Sequence, residues 1–162
     1  MSELLVGIDP GRETGLAVYA LALKELLECR SCSFWEAVVV FRDHLLPLGD
    51  GGVVAEVVIE DSRRLPLYAR NRKRRMTREA RDRMCRSVGR IDRDIALWEE
   101  WLRDRGYEVL LVEPSKEAKW TAEDLRRICG WAESTNQHGR DAARLVWGRK
   151  PGAMVENTVG TV

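Results

Sequence analysis

The chain has 162 residues, 44% of them apolar and 33% charged, which suits one soluble globular domain with a sizeable core. No run approaches the roughly 18 apolar residues of a membrane span, and Met1-Ser2-Glu3 passes straight into an apolar strand pattern, leaving no room for a signal peptide and pointing to a cytoplasmic protein. The net charge of +1 hides a segregation: residues 62–93 hold thirteen basic and three acidic side chains, hence +10, and the remainder carries −9.

From Leu4 to Tyr19 the chain reads LLVGIDPGRETGLAVY. Two apolar runs on either side of Pro10-Gly11 make a hairpin of buried strands, with Asp9 where the first strand emerges. A carboxylate there is costly to bury unless a cation meets it, although Asp before Pro-Gly also serves simply as a turn residue. Residues 24–31 (KELLECRS) fit a third strand, with a helix through LALKELLE as the competing reading. Ser33 and Glu36 form a capping box for a helix with Phe34, Val38, Phe41 and Leu45 on one face. Val53 to Ile59 is a buried strand that delivers Glu60 and Asp61 at its far end.

A basic loop covers residues 62–75. Behind it, Ala80, Met84, Val88, Ile91, Ile95, Trp98 and Leu102 form a continuous helical stripe, so a long helix is expected over residues 76–105. Gly106 stops it, and Glu108 to Val112 is another buried strand. Thr121 and Asp124 open a further helix that ends near Gly130, and a last helix runs from about Gly139 to Trp147. The pattern is that of a mixed sheet with helices on its faces, a single α/β domain over residues 1–150 followed by a flexible tail, 151–162. Cys29, Cys32, Cys85 and Cys129 read as reduced packed thiols. Cys29-x-x-Cys32 lacks the second close Cys/His pair that a zinc site needs.

Three features carry chemistry. Asp9 and Glu60 end apolar strands, and in open α/β sheets ligands bind at that edge. Asp141 begins the last helix, with His138 three residues earlier. By itself Asp141 reads as an N-terminal cap, but the set of acids suits oxygen coordination of Mg²⁺, with Mn²⁺ a substitute. The +10 segment, finally, is what a phosphate-backbone contact requires, since a merely solvated helix face mixes signs.

These residues carry a resemblance. Gly7-Ile-Asp-Pro-Gly-Arg-Glu-Thr-Gly-Leu-Ala-Val resembles the opening motif of RuvC-type Holliday-junction resolvases, in the ribonuclease H-like superfamily. Val58-Ile-Glu60 resembles the family's second acidic motif, and His138-Gly-Arg-Asp141-Ala-Ala its C-terminal one. The resemblance spans roughly residues 4–149. It implies a ribonuclease H-like mixed five-stranded sheet flanked by helices, and a structure-selective endodeoxyribonuclease that resolves four-way junctions. It further implies two Mg²⁺ ions on Asp9, Glu60, His138 and Asp141, a nearby lysine at Lys119, or Lys116 if the register slips, and a homodimer. Tyr68 falls where the family places residues that contact bases at the junction, and Arg70, Arg72, Lys73, Arg74, Arg75 and Arg78 are the accompanying DNA contacts. Two departures mark a divergent, phage-like member: the family's Gly-rich loop and second lysine after Lys119 are missing, and the segment after Glu60 is unusually rich in arginine. Rival readings are another ribonuclease H-like nuclease acting on RNA or on branched or duplex DNA, and a non-catalytic DNA-structure binder. An actin-like kinase needs two such domains, for which the chain is too short.

For the dimer, the stripe on the long helix extends further than one small sheet covers. Met84, Val88 and Ile91 are the interface candidates, with Ile95, Trp98 and Leu102 assigned to the sheet.

Overall fold

In a computed structural model, which describes residues 3–45, 53–65 and 76–152, the apolar runs form one five-stranded mixed sheet. Tyr68, Arg70, Arg72, Lys73, Arg74 and Arg75 lie outside the described residues, as do residues 153–162 of the tail. The strands are β1 (Glu3–Asp9), β2 (Thr14–Ala20), β3 (Glu25–Cys32), β4 (Val53–Glu60) and β5 (Val109–Val112), in the spatial order β3-β2-β1-β4-β5. β1 lies in the middle, antiparallel to β2 and parallel to β4, and β5 continues the parallel side.

The helical alternative for the third segment fails for a physical reason. Every residue of β2 is buried, and its outer backbone edge needs a partner, which Glu25–Cys32 supplies as an antiparallel strand. Lys24, at φ 58°, closes the tight turn by donating its N–H to Ala20 O at 2.8 Å.

Side chains alternate across a strand, so each strand divides its apolar residues between two cores. Leu4, Val6, Ile8, Leu16, Val18, Val57 and Ile59 face α1 (Phe34–Val40) and α2 (Arg78–Asp104). Leu5, Ala17, Tyr19 and Val58 face α3 (Ala122–Cys129) and α4 (Gln137–Val146). Cys29 belongs to the second core and Cys32 to the first, so the two thiols sit on opposite faces and cannot share a metal. The Ser33–Glu36 capping box starts α1, and the helix continues as a π-helical turn over Phe41–Leu45 that buries Phe41.

α2 packs on the sheet only through its C-terminal half, where Ile95, Trp98 and Leu102 are wholly buried. Met84 and Val88 are half-buried on its free half, whereas Ile91, expected at an interface, packs against the core. Arg63 is not a free member of the basic segment either. It donates to both carboxylate oxygens of Asp61, at 2.8 and 3.1 Å, and to Glu99 at 3.0 Å, tying the end of β4 to α2. Burial pushes the Asp61 carboxyl up, but the hydrogen bonds and charge of Arg63, with Arg64 nearby, outweigh it and hold the group below its ordinary value. Asp61 is therefore occupied in holding the fold.

Candidate active site

Strand alternation aims the acids before any helix is considered. In β1, residues 5, 7 and 9 face α4; in β4, residues 58 and 60 do the same. Asp9 and Glu60 stand one step beyond the registered pair Ile8↔Ile59, at the same end of two adjacent parallel strands. In open α/β sheets it is this edge that ligands approach.

α4 supplies the third acid because it lies unusually close to the sheet. A Cβ at Gly7 would run into the carbonyl oxygen of Ala142, and one at Gly15 into that of His138, so these two strand glycines exist to let the helix backbone approach. The helix starts two residues earlier than the sequence reading placed it. Asn136 is its cap, accepting from the Gly139 N–H at 3.3 Å, and Asp141 lies in the second turn. The N-cap reading of Asp141 is thereby overturned. The side chain is buried against the sheet edge and does not serve the helix end.

Each acid has a different setting. Asp9 Oδ2 and His138 Nδ1 share a hydrogen bond of 2.8 Å, in which the ring nitrogen is the donor whenever the carboxylate is ionised. The Asp9 hydrogen bond pushes the His138 pKa up, against burial, with the charges of Asp9 and Asp141 adding to the rise. Asp141 accepts from Lys119 Nζ at 2.5 Å and from Gln137 Nε2 at 2.7 Å. Burial lowers the Lys119 pKa, but Asp141, with Asp9 and Glu60 behind it, reverses the sign and leaves it raised. Glu60 has no ion pair among the described residues. Its pKa is pushed up to about 7, first by burial and then by the charges of Asp9 and Asp141, with Lys119 and Arg144 pulling the other way.

The structure thus brings Asp9, Glu60, His138, Asp141 and Lys119 together, while Lys116 is exposed, as is Arg78 at the start of α2. It also shows what the sequence reading missed. Two arginines of α4 grip the carbonyls on either side of Lys119: Arg144 donates to Ala118 O at 3.1 Å, and Arg140 to Trp120 O at 2.9 Å. Arg144 also binds Ser115 Oγ at 2.9 Å and Glu117, and Arg140 binds Thr135 O at 2.7 Å. The loop that carries Lys119 therefore rides on the helix that carries Asp141. Glu113, at the end of β5, joins Glu60, Lys119, Asp141 and Arg144 around a cavity of about 280 Å³.

Among the described residues, no three His, Cys, Asp or Glu side chains are closed up to the spacing that encloses a metal ion. The donor chemistry nonetheless fits a hard divalent cation. Three carboxylates share one sheet edge, two are already met by His138 and Lys119, and the third, Glu60, has its pKa pushed up first by burial and then by the charges of the other two. A cation on these oxygens would relieve that repulsion.

Comparison of the chain with protein-family models, with curated proteins and with solved structures finds no match. No described helix is long and apolar enough to cross a membrane.

Proposed function

We propose that the protein is a ribonuclease H-like, metal-dependent endonuclease of the RuvC-resolvase kind, hydrolysing phosphodiesters in branched DNA. The observation that carries this reading is the convergence of Asp9, Glu60 and Asp141, two from neighbouring parallel strand ends and one from a helix pressed against them, beside a lysine held in place by two arginines. The sheet order, with a central strand antiparallel to one neighbour and parallel to the other, supports the same assignment. The decisive experiment is incubation of purified protein with four-way, flap, duplex and RNA–DNA substrates, in Mg²⁺ and in EDTA. Mg²⁺-dependent cutting concentrated on branched DNA is expected, and equal cutting in EDTA would end the proposal.

Asp9, Glu60 and Asp141 would hold two Mg²⁺ ions, with His138 as an additional ligand or as the group that orients Asp9. When bound, the ions supply an attacking water of lowered pKa and stabilise the departing oxygen. Lys119 offers its ammonium to the charge that builds on the non-bridging phosphate oxygens, a role that needs the fixed position its arginine-gripped loop provides. Glu60 must be ionised to ligate, so Mg²⁺ affinity for the free site should rise with pH through about 7.

DNA affinity is assigned to the basic segment. Replacing Arg72, Lys73, Arg74 and Arg75 together with Ala should weaken binding and flatten its salt dependence, each lost phosphate contact reducing the log–log slope by about 0.9. An unchanged slope in a salt titration would show that these four side chains face only solvent.

The protein is further proposed to act as a homodimer through α2, since a two-fold pair of sites matches the two strands cut at a four-way junction. Met84 and Val88, half-buried and off the core, are the contact residues. Val88→Asp should give a folded monomer by light scattering that loses paired incision. A wild-type monomer that still makes paired cuts would refute the dimer.

A further inference from the structure

On the His138 side of the carboxylates lies a second concavity, a groove of about 820 Å³ between the β1–β2 turn, the start of α1 and the middle of α2. Gly11, Arg12, Trp35, Arg90, Asp94 and His138 are among the residues that line it. Its size falls within the roughly 300–1,000 Å³ that ligand pockets occupy.

Trp35 is the unusual member. It sits in the first turn of α1, 72% exposed, where a tryptophan gains nothing by burial. The indole is nevertheless anchored: it meets Phe34 edge-on at 5.4 Å between centroids, and Phe34 packs at 4.4 Å on Trp98, which is wholly buried. A ladder of rings therefore runs from the core to the surface and ends in Trp35, in the lining of the groove. The charges around it favour an anion. The groove lining holds Arg12 and Arg90 against a single carboxylate, Asp94, whose pKa is pushed up by burial against the pull of Arg93. Arg83, Arg86, Arg90 and Arg93, all exposed and spaced 3, 4 and 3 apart, line one side of α2 past the groove.

An aromatic platform beside a basic track is the physical recipe for a single nucleic-acid strand, because every base has a face to stack and every linkage a charge to neutralise. We propose that this groove receives the unpaired strand next to a branch point, with Trp35 stacking on one unstacked base while the neighbouring phosphate lies at the carboxylates. The inference rests on the nuclease reading above and gives it a means of distinguishing branched from fully paired DNA: a continuous duplex offers no free base face.

The test uses the full chain in EDTA and flap DNA carrying 2-aminopurine at the first unpaired position, beside a fully paired duplex. Trp35→Ala should weaken flap binding by roughly 5- to 150-fold and abolish quenching of the 2-aminopurine fluorescence, with duplex affinity unchanged within about twofold. Trp35→Phe should recover most of both flap signals. Val39→Ser, which alters the other exposed apolar residue on that face of α1, should change neither, whereas a protein-docking face would leave flap binding intact in every variant. Equal flap affinity and quenching for wild type and Trp35→Ala would overturn the stacking role while leaving the nuclease reading in place. An equal loss on flap and duplex would overturn it too, and failure of the wild type to bind any of these DNAs would overturn the nuclease reading along with it.

Discussion

Asp9→Asn and Asp141→Asn should each reduce cleavage of the preferred substrate about a thousand-fold, because an ion's stabilisation of the transition state is worth several kcal/mol and each 1.36 kcal/mol is tenfold in rate. Affinity for the same DNA, measured in EDTA, should stay within about threefold, since phosphate contacts supply most of it. The amide keeps the shape of the acid and one accepting oxygen. The carbonyl oxygen of Asn at position 9 can still accept a hydrogen bond from His138 Nδ1, and that of Asn at 141 one from Gln137 Nε2. What is lost is the negative charge, and with Asp141 also the ion pair that holds Lys119. The measurement is single-turnover cleavage next to an equilibrium binding curve for each variant. Full cleavage by either variant would remove that carboxylate from the site, and a parallel loss of cleavage and binding would indicate damage to the fold.

Much of this arrangement was legible from residue order. The continuous apolar runs around Gly7 and through Val53–Ile59, each closing on an acid, already place Asp9 and Glu60 at the C-terminal ends of buried strands. Contacts to residues far along the chain are less visible in the residue order. Counting charges put Arg63 in a basic loop, but it is held by Asp61 two residues before it and by Glu99, 36 residues away, which leaves no local mark. The last helix, expected from about Gly139, starts at Gln137 because Asn136 caps it, and Gly139 is small because Thr135 and the Arg30 backbone press on it. The grip of Arg140 and Arg144 on either side of Lys119 has no sequence signal at all, being made to carbonyl oxygens that every residue possesses. Lys119 was singled out by resemblance alone; the structure sets its ammonium on Asp141.

Glu60→Gln should inactivate the protein and at the same time stabilise it. The Glu60 carboxyl moves from an ordinary 4.5 in the unfolded chain to about 7 in the folded one, chiefly because burial and the charges of Asp9 and Asp141 oppose its ionisation. The folded state therefore binds more protons than the unfolded state between those two values, and stability falls as pH rises through that window. Above about 7 the whole penalty is present; below 4.5 none of it is. A glutamine imitates the protonated acid at every pH. At pH 8 it should raise stability by on the order of 2 kcal/mol, after allowance for the partial exposure of the site, and Tm by about 4–8 °C for a chain of this length. At pH 5 the difference from wild type should nearly vanish. Millimolar Mg²⁺ at pH 8 should then stabilise the wild type, since a cation binding the folded state offsets the same repulsion, and should do little for the glutamine variant. Thermal unfolding of both proteins at the two pH values, with and without Mg²⁺, reads out all four expectations. A stability gap that does not change with pH would mean that the carboxylates do not press on Glu60, and with that the electrostatic case for a cation at this sheet edge would fall, because the cost of gathering three acids there would have been met in some other way.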